Sequence, residues 1–148
     1  MTTGPIILVE DDEDDVAIFS EVLRDLNIPN RLISFTKPAD AYHFLNNNEE
    51  QPFIIISDVN LPGMSGLEFK NKLDHNEQLR RKSIPFIFYS TSAEKKYVNE
   101  AYIQLTVQGF FLKGQSVQEI INQLRIIFEY WKICRHPNSQ MTDRTRQF

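Results

Sequence analysis

A single cysteine, Cys134, stands in the 148 residues. One thiol cannot close an internal disulfide, and so little cysteine suits a reducing compartment. Basic charge is also short: 16 Lys and Arg face 20 Asp and Glu, for a formal net charge of -4. A basic face to hold nucleic acid is therefore not expected. No apolar run approaches the length that spans a bilayer. The first residues, MTTGP, carry no basic region ahead of the first apolar run, so a signal peptide is not expected either. There is no internal repeat and no sign of a second domain. These absences point to a cytoplasmic chain without membrane contact or direct DNA binding. What is present is the 41% hydrophobic and 24% charged balance of a globular domain with its own core.

The stretch around which the chain is organised reads FIIISDVNLPGMSG, residues 53–66. A short, continuous apolar run bounded by turn formers reads as a strand buried on both faces. It ends at one acid, Asp58, followed by Pro62, Gly63, Ser65 and Gly66. In open parallel α/β sheets, ligands bind beyond the carboxyl ends of the strands. Asp58 is placed there.

The other elements fall in order. Residues 6–9 form strand one, followed by six consecutive acids at 10–15. Val16, Ile18, Phe19, Val22, Leu23 and Leu26 recur at helical spacing, and Pro29 closes helix one. Leu32, Ile33 and Phe35 make strand two. Thr36 before Pro38 reads as the N-cap of helix two, which carries Ala39, Ala41, Tyr42, Phe44 and Leu45. Strand three is 53–57, and helix three follows Gly66 and fades near His75. Residues 77–83 read as a charged connection. Strand four is 85–89, with Ser90, Thr91 and Ser92 at its end. Helix four spans 93–106, with Val98, Ala101, Tyr102 and Leu105 facing inward. Strand five, 110–112, ends at Lys113. Helix five runs 117–133, stopped by Pro137, and 138–148 reads as a loose polar tail. Five strands alternating with five helices give an α/β, doubly wound five-stranded parallel sheet of (βα)5 type. The domain is expected over 1–136, with a polar C-terminal tail at 137–148.

Along one sheet edge this order gathers Glu10, Asp11, Asp58, Ser90, Thr91 and Lys113. Packed carboxylates repel one another and need cations. Oxygen ligands suit Mg2+, a hard ion that binds one or two carboxylates plus a phosphate. Lys113 adds a second, flexible positive charge. Together these are the parts that stabilise a phosphoryl group in transfer. The remaining acids, Asp12 to Asp15, read as caps and dipole partners of helix one.

Four pieces carry a resemblance: ILVED at 7–11, SDVNLPGMSG at 57–66, FIFYST at 86–91 and GFFLK at 109–113. The chain resembles the receiver domain of two-component response regulators over nearly its whole length. The resemblance implies that Asp58 accepts a phosphoryl group, with Asp11 as a direct Mg2+ ligand, Glu10 acting through water, and the backbone carbonyl of Asn60 as a further ligand. It implies that Ser90 bonds a phosphoryl oxygen, that Lys113 pairs with Asp58 and then with the phosphate, and that Phe110 is the aromatic switch. Asn60 and Ser92 lie where the family tunes phosphate loss. The implied function is a stand-alone response regulator and not an enzyme beyond its own phosphorylation and dephosphorylation. A sensor histidine kinase or phosphotransfer protein would be the donor, and an unknown downstream protein would receive the signal through the face of helix four, strand five and helix five. One departure stands out. The family usually places Pro, with a cis bond, after the Lys, and here there is Gly114. A cis bond to a non-proline residue costs roughly 3 kcal/mol, which leaves the isomer at Lys113–Gly114 and the placement of Lys113 open.

Other classes fit less well. A flavodoxin-like nucleotide or flavin binder would need a phosphate loop after strand one, where six acids stand. A partner-binding receiver that is never phosphorylated draws support only from Gly114. A phosphatase with two Asp separated by one residue lacks the second Asp, since Asn60 occupies it. His43, His75 and His136 read as structural or exposed, and Trp131 and Cys134 as packing. Helix five carries a second apolar stripe, Ile126, Tyr130 and Ile133, beyond its inner one of Val117, Ile120, Ile121, Leu124, Ile127, Phe128 and Trp131. That stripe would suit the tail, a partner, or a homodimer through helix five.

Overall fold

The computed structural model describes residues 3–137. Its elements run β1 (Ile6–Val9), α1 (Glu13–Asp25), β2 (Leu32–Phe35), α2 (Pro38–Asn47), β3 (Ile54–Ser57) and α3 (Gly66–Asp74). They continue with α4 (Glu77–Lys82), β4 (Phe86–Ser90), α5 (Lys95–Gln104), β5 (Gly109–Leu112) and α6 (Val117–Ile133). All strand pairs are parallel, in the order β2-β1-β3-β4-β5.

Successive side chains of a strand point to opposite faces, and here both faces are buried. Ile6, Leu8, Ile54, Ile56, Ile87 and Tyr89 enter a core with Phe19, Val22 and Leu23 of α1 and Leu124, Ile127 and Phe128 of α6. Ile7, Val9, Ile55, Phe86 and Phe88 enter the opposite core, with Ala41, Leu45, Phe69, Leu79 and Ala101 of α2 to α5. Double burial is why the strands read as unbroken apolar runs.

β1 pairs with both β2 and β3, so the chain leaves β1 in one direction and returns on its other side. That reversal opens a crevice beyond the carboxyl ends of β1 and β3. Val9 lies opposite Ser57 in the register, and Asp58 N donates to Val9 O at 3.0 Å. Glu10 and Asp58 therefore leave adjacent strands at one level.

Several expectations need correction. Among the described residues there are six helices, not five, because 77–82 is α4 rather than a charged connection. Its only buried residue is Leu79, which gives no periodicity to read. The Asn76 side chain caps it by accepting from Leu79 N at 3.1 Å, and Glu77 pairs with Arg81 one turn on at 2.8 Å. Basic residues fill its last turn, where they favour the dipole. Lys37, not Thr36, is the N-cap of α2, and no side chain caps it. Pro38 at the first position suffices, since it has no N–H to satisfy. α5 is shorter than expected, and Tyr102 is 53% exposed instead of facing inward. Its ring lies outside the core because its hydroxyl accepts from Phe110 N at 2.9 Å, which ties it to the edge strand. Val117, at the first position of α6, is exposed as well.

The end of α6 is fastened by rings. His136 is buried, stacked on Phe53 at 4.8 Å between centroids and edge-on to Trp131 at 5.4 Å, and it bonds the Phe53 carbonyl through Nε2. Burial lowers its pKa, against the effect of that hydrogen bond. Trp131 belongs to the core and Cys134 packs against it. The expected tail over 138–148 lies outside the described residues.

Candidate functional site

Beyond β1 and β3, carboxylate oxygens of Glu10, Asp11 and Asp58 lie within 4.8 Å of one another. Glu10 and Asp58 are buried and Asp11 is exposed. The two oxygens of Asp58 differ. Oδ1 accepts from Ser90 Oγ at 2.6 Å, Val59 N at 2.6 Å and Asn60 N at 3.3 Å. Oδ2 faces Lys113 Nζ at 4.0 Å. The loop after Asp58 holds this arrangement through Gly66, whose N–H donates to Val59 O at 2.7 Å. A Cβ on Gly66 would stand 2.0 Å from the Asp58 carbonyl oxygen, so only glycine fits where α3 meets that backbone. Ser65 and Glu68 form a capping box that starts α3 at this point.

Lys113 follows β5, and its N–H donates to Ser90 O at 2.7 Å. Its side chain is only 8% exposed. Nζ donates to Glu10 Oε1 at 2.7 Å and to Asp15 Oδ2 at 2.9 Å. Burial works against its charge, but the bonds to Glu10 and Asp15 outweigh it and raise its pKa. Glu10 is raised as well, chiefly by burial, with Lys113 pulling the other way. There is no cis peptide bond among the described residues, so Lys113–Gly114 is trans.

Ser90 sits at the end of β4, fully buried, and its Oγ also accepts from Ser92 N at 3.2 Å. Phe110 is half-buried in a row of rings, 5.4 Å from Phe88, which lies 5.0 Å from Phe86. Asn60 is exposed, and its N–H reaches Asp58. The structure thus brings Glu10, Asp11, Asp58, Ser90 and Lys113 to one crevice, with Asn60 and Ser92 at its border and Phe110 in the row of rings beside Phe88.

Asp15 was expected only as a cap and dipole partner. Asp12 is the cap, accepting from Asp14 N at 2.9 Å and Asp15 N at 3.3 Å. Asp15, one turn further along, points into the crevice to Lys113 instead.

Hard oxygen donors clustered at this spacing fit a divalent cation, because three carboxylates beside one ammonium still leave excess negative charge. The cation class follows from the donor set.

The family model for the response regulator receiver domain matches residues 6–125. The chain belongs to the response regulator receiver domain family. Among its relatives is the response regulator Rcp1 of Synechocystis sp., 29% identical over 131 residues, covering 85% of this chain and 87% of Rcp1. The Mn(2+)-bound structure of Rcp1 superimposes with a TM-score of 0.79 at 28% identity, over 90% of this chain and 99% of that one. The phosphorylated cyanobacterial phytochrome response regulator RcpA gives 0.79 at 25% identity, over 88% and 95%. The hybrid signal transduction histidine kinase D of Dictyostelium discoideum is 34% identical across 59% of this chain, which spans only 6% of that protein. The receiver unit therefore also occurs inside much longer chains.

Charge balance in this receiver depends on Lys113. Lys113→Met is expected to destabilise the fold by roughly 3 kcal/mol near neutral pH, because it leaves buried carboxylates unpaired. Without the cation, the folded-state pKa of Glu10, already raised by burial, rises further, so stability is present at low pH and lost as pH climbs through it. The deficit in urea unfolding should be large at about pH 7.5 and small at about pH 5. A deficit independent of pH would contradict this.

Proposed function

We propose that this receiver accepts a phosphoryl group on Asp58 from a histidine kinase or phosphotransfer protein and uses the new charge to switch its contacts with a downstream protein. The observation that carries the reading is the asymmetry of Asp58. Oδ1 is held by three donors, while Oδ2 accepts no hydrogen bond among the described residues and points toward Lys113. Oδ2 is the attacking atom. It forms a bond to phosphorus as the bond from phosphorus to the donor nitrogen breaks, and the electron pair leaves with the donor imidazole. The product is an acyl phosphate, which water returns to carboxylate and inorganic phosphate.

Lys113 stabilises the charge that builds on the phosphoryl oxygens. Its ammonium leaves Asp15 to do so. Ser90 Oγ turns its donor from Oδ1 to a phosphoryl oxygen, and the space it vacates favours inward packing of Phe110. We assign Mg2+ as the metal, held by Glu10, Asp11, Asp58 and the backbone carbonyl of Asn60. When bound, it supplies positive charge to the phosphoryl oxygens. Asn60 and Ser92, at the border, set how readily water reaches the phosphate. Beyond catalysing its own phosphorylation and dephosphorylation, the domain is not an enzyme. No helix among the described residues is long and apolar enough to cross a membrane, and the reading places the protein in the cytoplasm without direct DNA binding.

Incubation with acetyl phosphate and Mg2+, followed by intact mass, tests this. One phosphoryl adduct is expected on the wild type and none on Asp58→Ala or in the presence of EDTA. No adduct on the wild type, or an undiminished one on Asp58→Ala, would refute the reading.

Among the described residues nothing covers the second stripe of α6: Ile126, Tyr130 and Ile133 are 62%, 55% and 88% exposed. A stripe facing its own copy across a two-fold axis is self-complementary, so we assign it to a homodimer. Light scattering should report a dimer for the wild type and a monomer for Ile126→Lys with Tyr130→Lys. A monomeric wild type would remove the assignment.

A further inference from the structure

One side chain holds the peptide groups on both sides of Lys113. Gln123 Nε2 donates to Leu112 O at 2.7 Å, and Gln123 Oε1 accepts from Gly114 N at 3.0 Å. The first bond fixes the peptide that enters Lys113 and the second fixes the peptide that leaves it. Tyr89 Oη donates to the same Oε1 at 2.6 Å, so the amide is itself held in one orientation. Burial pushes the Tyr89 hydroxyl up to about 12, which keeps it a donor at ordinary pH. Gly114 makes this contact possible in two ways. Its N–H is the donor, which a proline would lack. A Cβ there would stand 2.7 Å from Glu119 Cβ and 3.1 Å from Ile120 N, so α6 comes close enough for Gln123 to reach only because residue 114 has no side chain.

We propose that Gln123 is a positioning residue for Lys113, its amide clamping the backbone on either side of the lysine so that Nζ reaches the phosphoryl oxygens at Asp58. This rests on the phosphoryl-accepting reading above. The clamp does the work that a rigid residue after the lysine would otherwise do. With the backbone fixed by Gln123 and by the Lys113 N bond to Ser90 O, only the flexible stem of Lys113 moves between Asp15 and the phosphate.

The test is the initial rate of adduct formation with acetyl phosphate and saturating Mg2+, read by intact mass, beside the Mg2+ dissociation constant from calorimetry. Gln123→Ala should slow the reaction by about tenfold, the scale of a small misplacement of a reacting group. Mg2+ affinity should stay within about twofold, since the carboxylates stand on other strands. In a Lys113→Met background, Gln123→Ala should cost no further rate, because a residue acting only through Lys113 has nothing left to position. Gln123→Glu keeps the acceptor and loses the donor to Leu112. Its rate relative to wild type should recover as falling pH protonates the new carboxyl and restores the donor. Equal slowing in both backgrounds, slowing matched by weakened Mg2+ binding, or an unchanged rate would each overturn the proposal. If Gln123→Ala does not fold, the pH profile of Gln123→Glu decides, and a flat relative rate overturns it. An absent adduct on the wild type is a separate outcome: it removes the phosphoryl reading itself, and the clamp with it.

Discussion

One buried ammonium is the positive charge that the carboxylates of the crevice share. Lys113 Nζ lies 2.7 Å from Glu10, 2.9 Å from Asp15 and 4.0 Å from Asp58. Taking these charges out of water costs several kcal/mol per ion, and the mutual attraction offsets that only when the geometry is good. Three carboxylates around one ammonium leave a negative surplus, which creates the affinity for a divalent cation. It also makes the lysine mobile in principle, because its present partners are replaceable. A phosphoryl group on Asp58 brings more negative charge than Asp15 offers, so the same electrostatics that stabilise the resting site favour moving Nζ once Asp58 is charged.

The fold exists to hold that balance at a fixed place. Reversal of chain direction at β1 puts Glu10 and Asp58 on neighbouring strand ends, and β4 and β5 bring Ser90 and Lys113 beside them. The close approach of Gly66 to the Asp58 backbone and the capping box that follows it set the loop whose N–H groups occupy Oδ1. On the far side, α6 reaches over Gly114 to the backbone of Lys113. Helix packing and site geometry are thus one problem here: the same α6 that covers the core with Leu124, Ile127 and Phe128 carries Gln123 on its adjoining face.

The strands, and the meeting of Glu10, Asp11, Asp58, Ser90 and Lys113 beyond their ends, were legible because buried parallel strands are apolar runs and their ends are marked by polar residues. Residues that depend on one contact were not. α4 has a single apolar anchor, Leu79, so it looked like a connection. Asp15 was lost among six acids, where a helix-dipole role accounts for any of them equally well. Gln123 offered no signal, because a polar residue on an amphipathic helix reads as solvated, and its partners are backbone groups that any sequence would supply. Tyr102 followed the helical period, yet its hydroxyl bond to Phe110 N holds it outside. His136 stands past the last apolar residue of α6, and its burial against the ring and carbonyl of Phe53 and the ring of Trp131 has no mark in the sequence.

The most direct measurement is a crystal structure of the chain with Mg2+ and beryllofluoride, which mimics the phosphoryl group on an aspartate. The account predicts Lys113 Nζ within hydrogen-bond distance of a fluoride on Asp58, with its bond to Asp15 broken. Nζ still seated on Glu10 and Asp15 beside a modified Asp58 would contradict it.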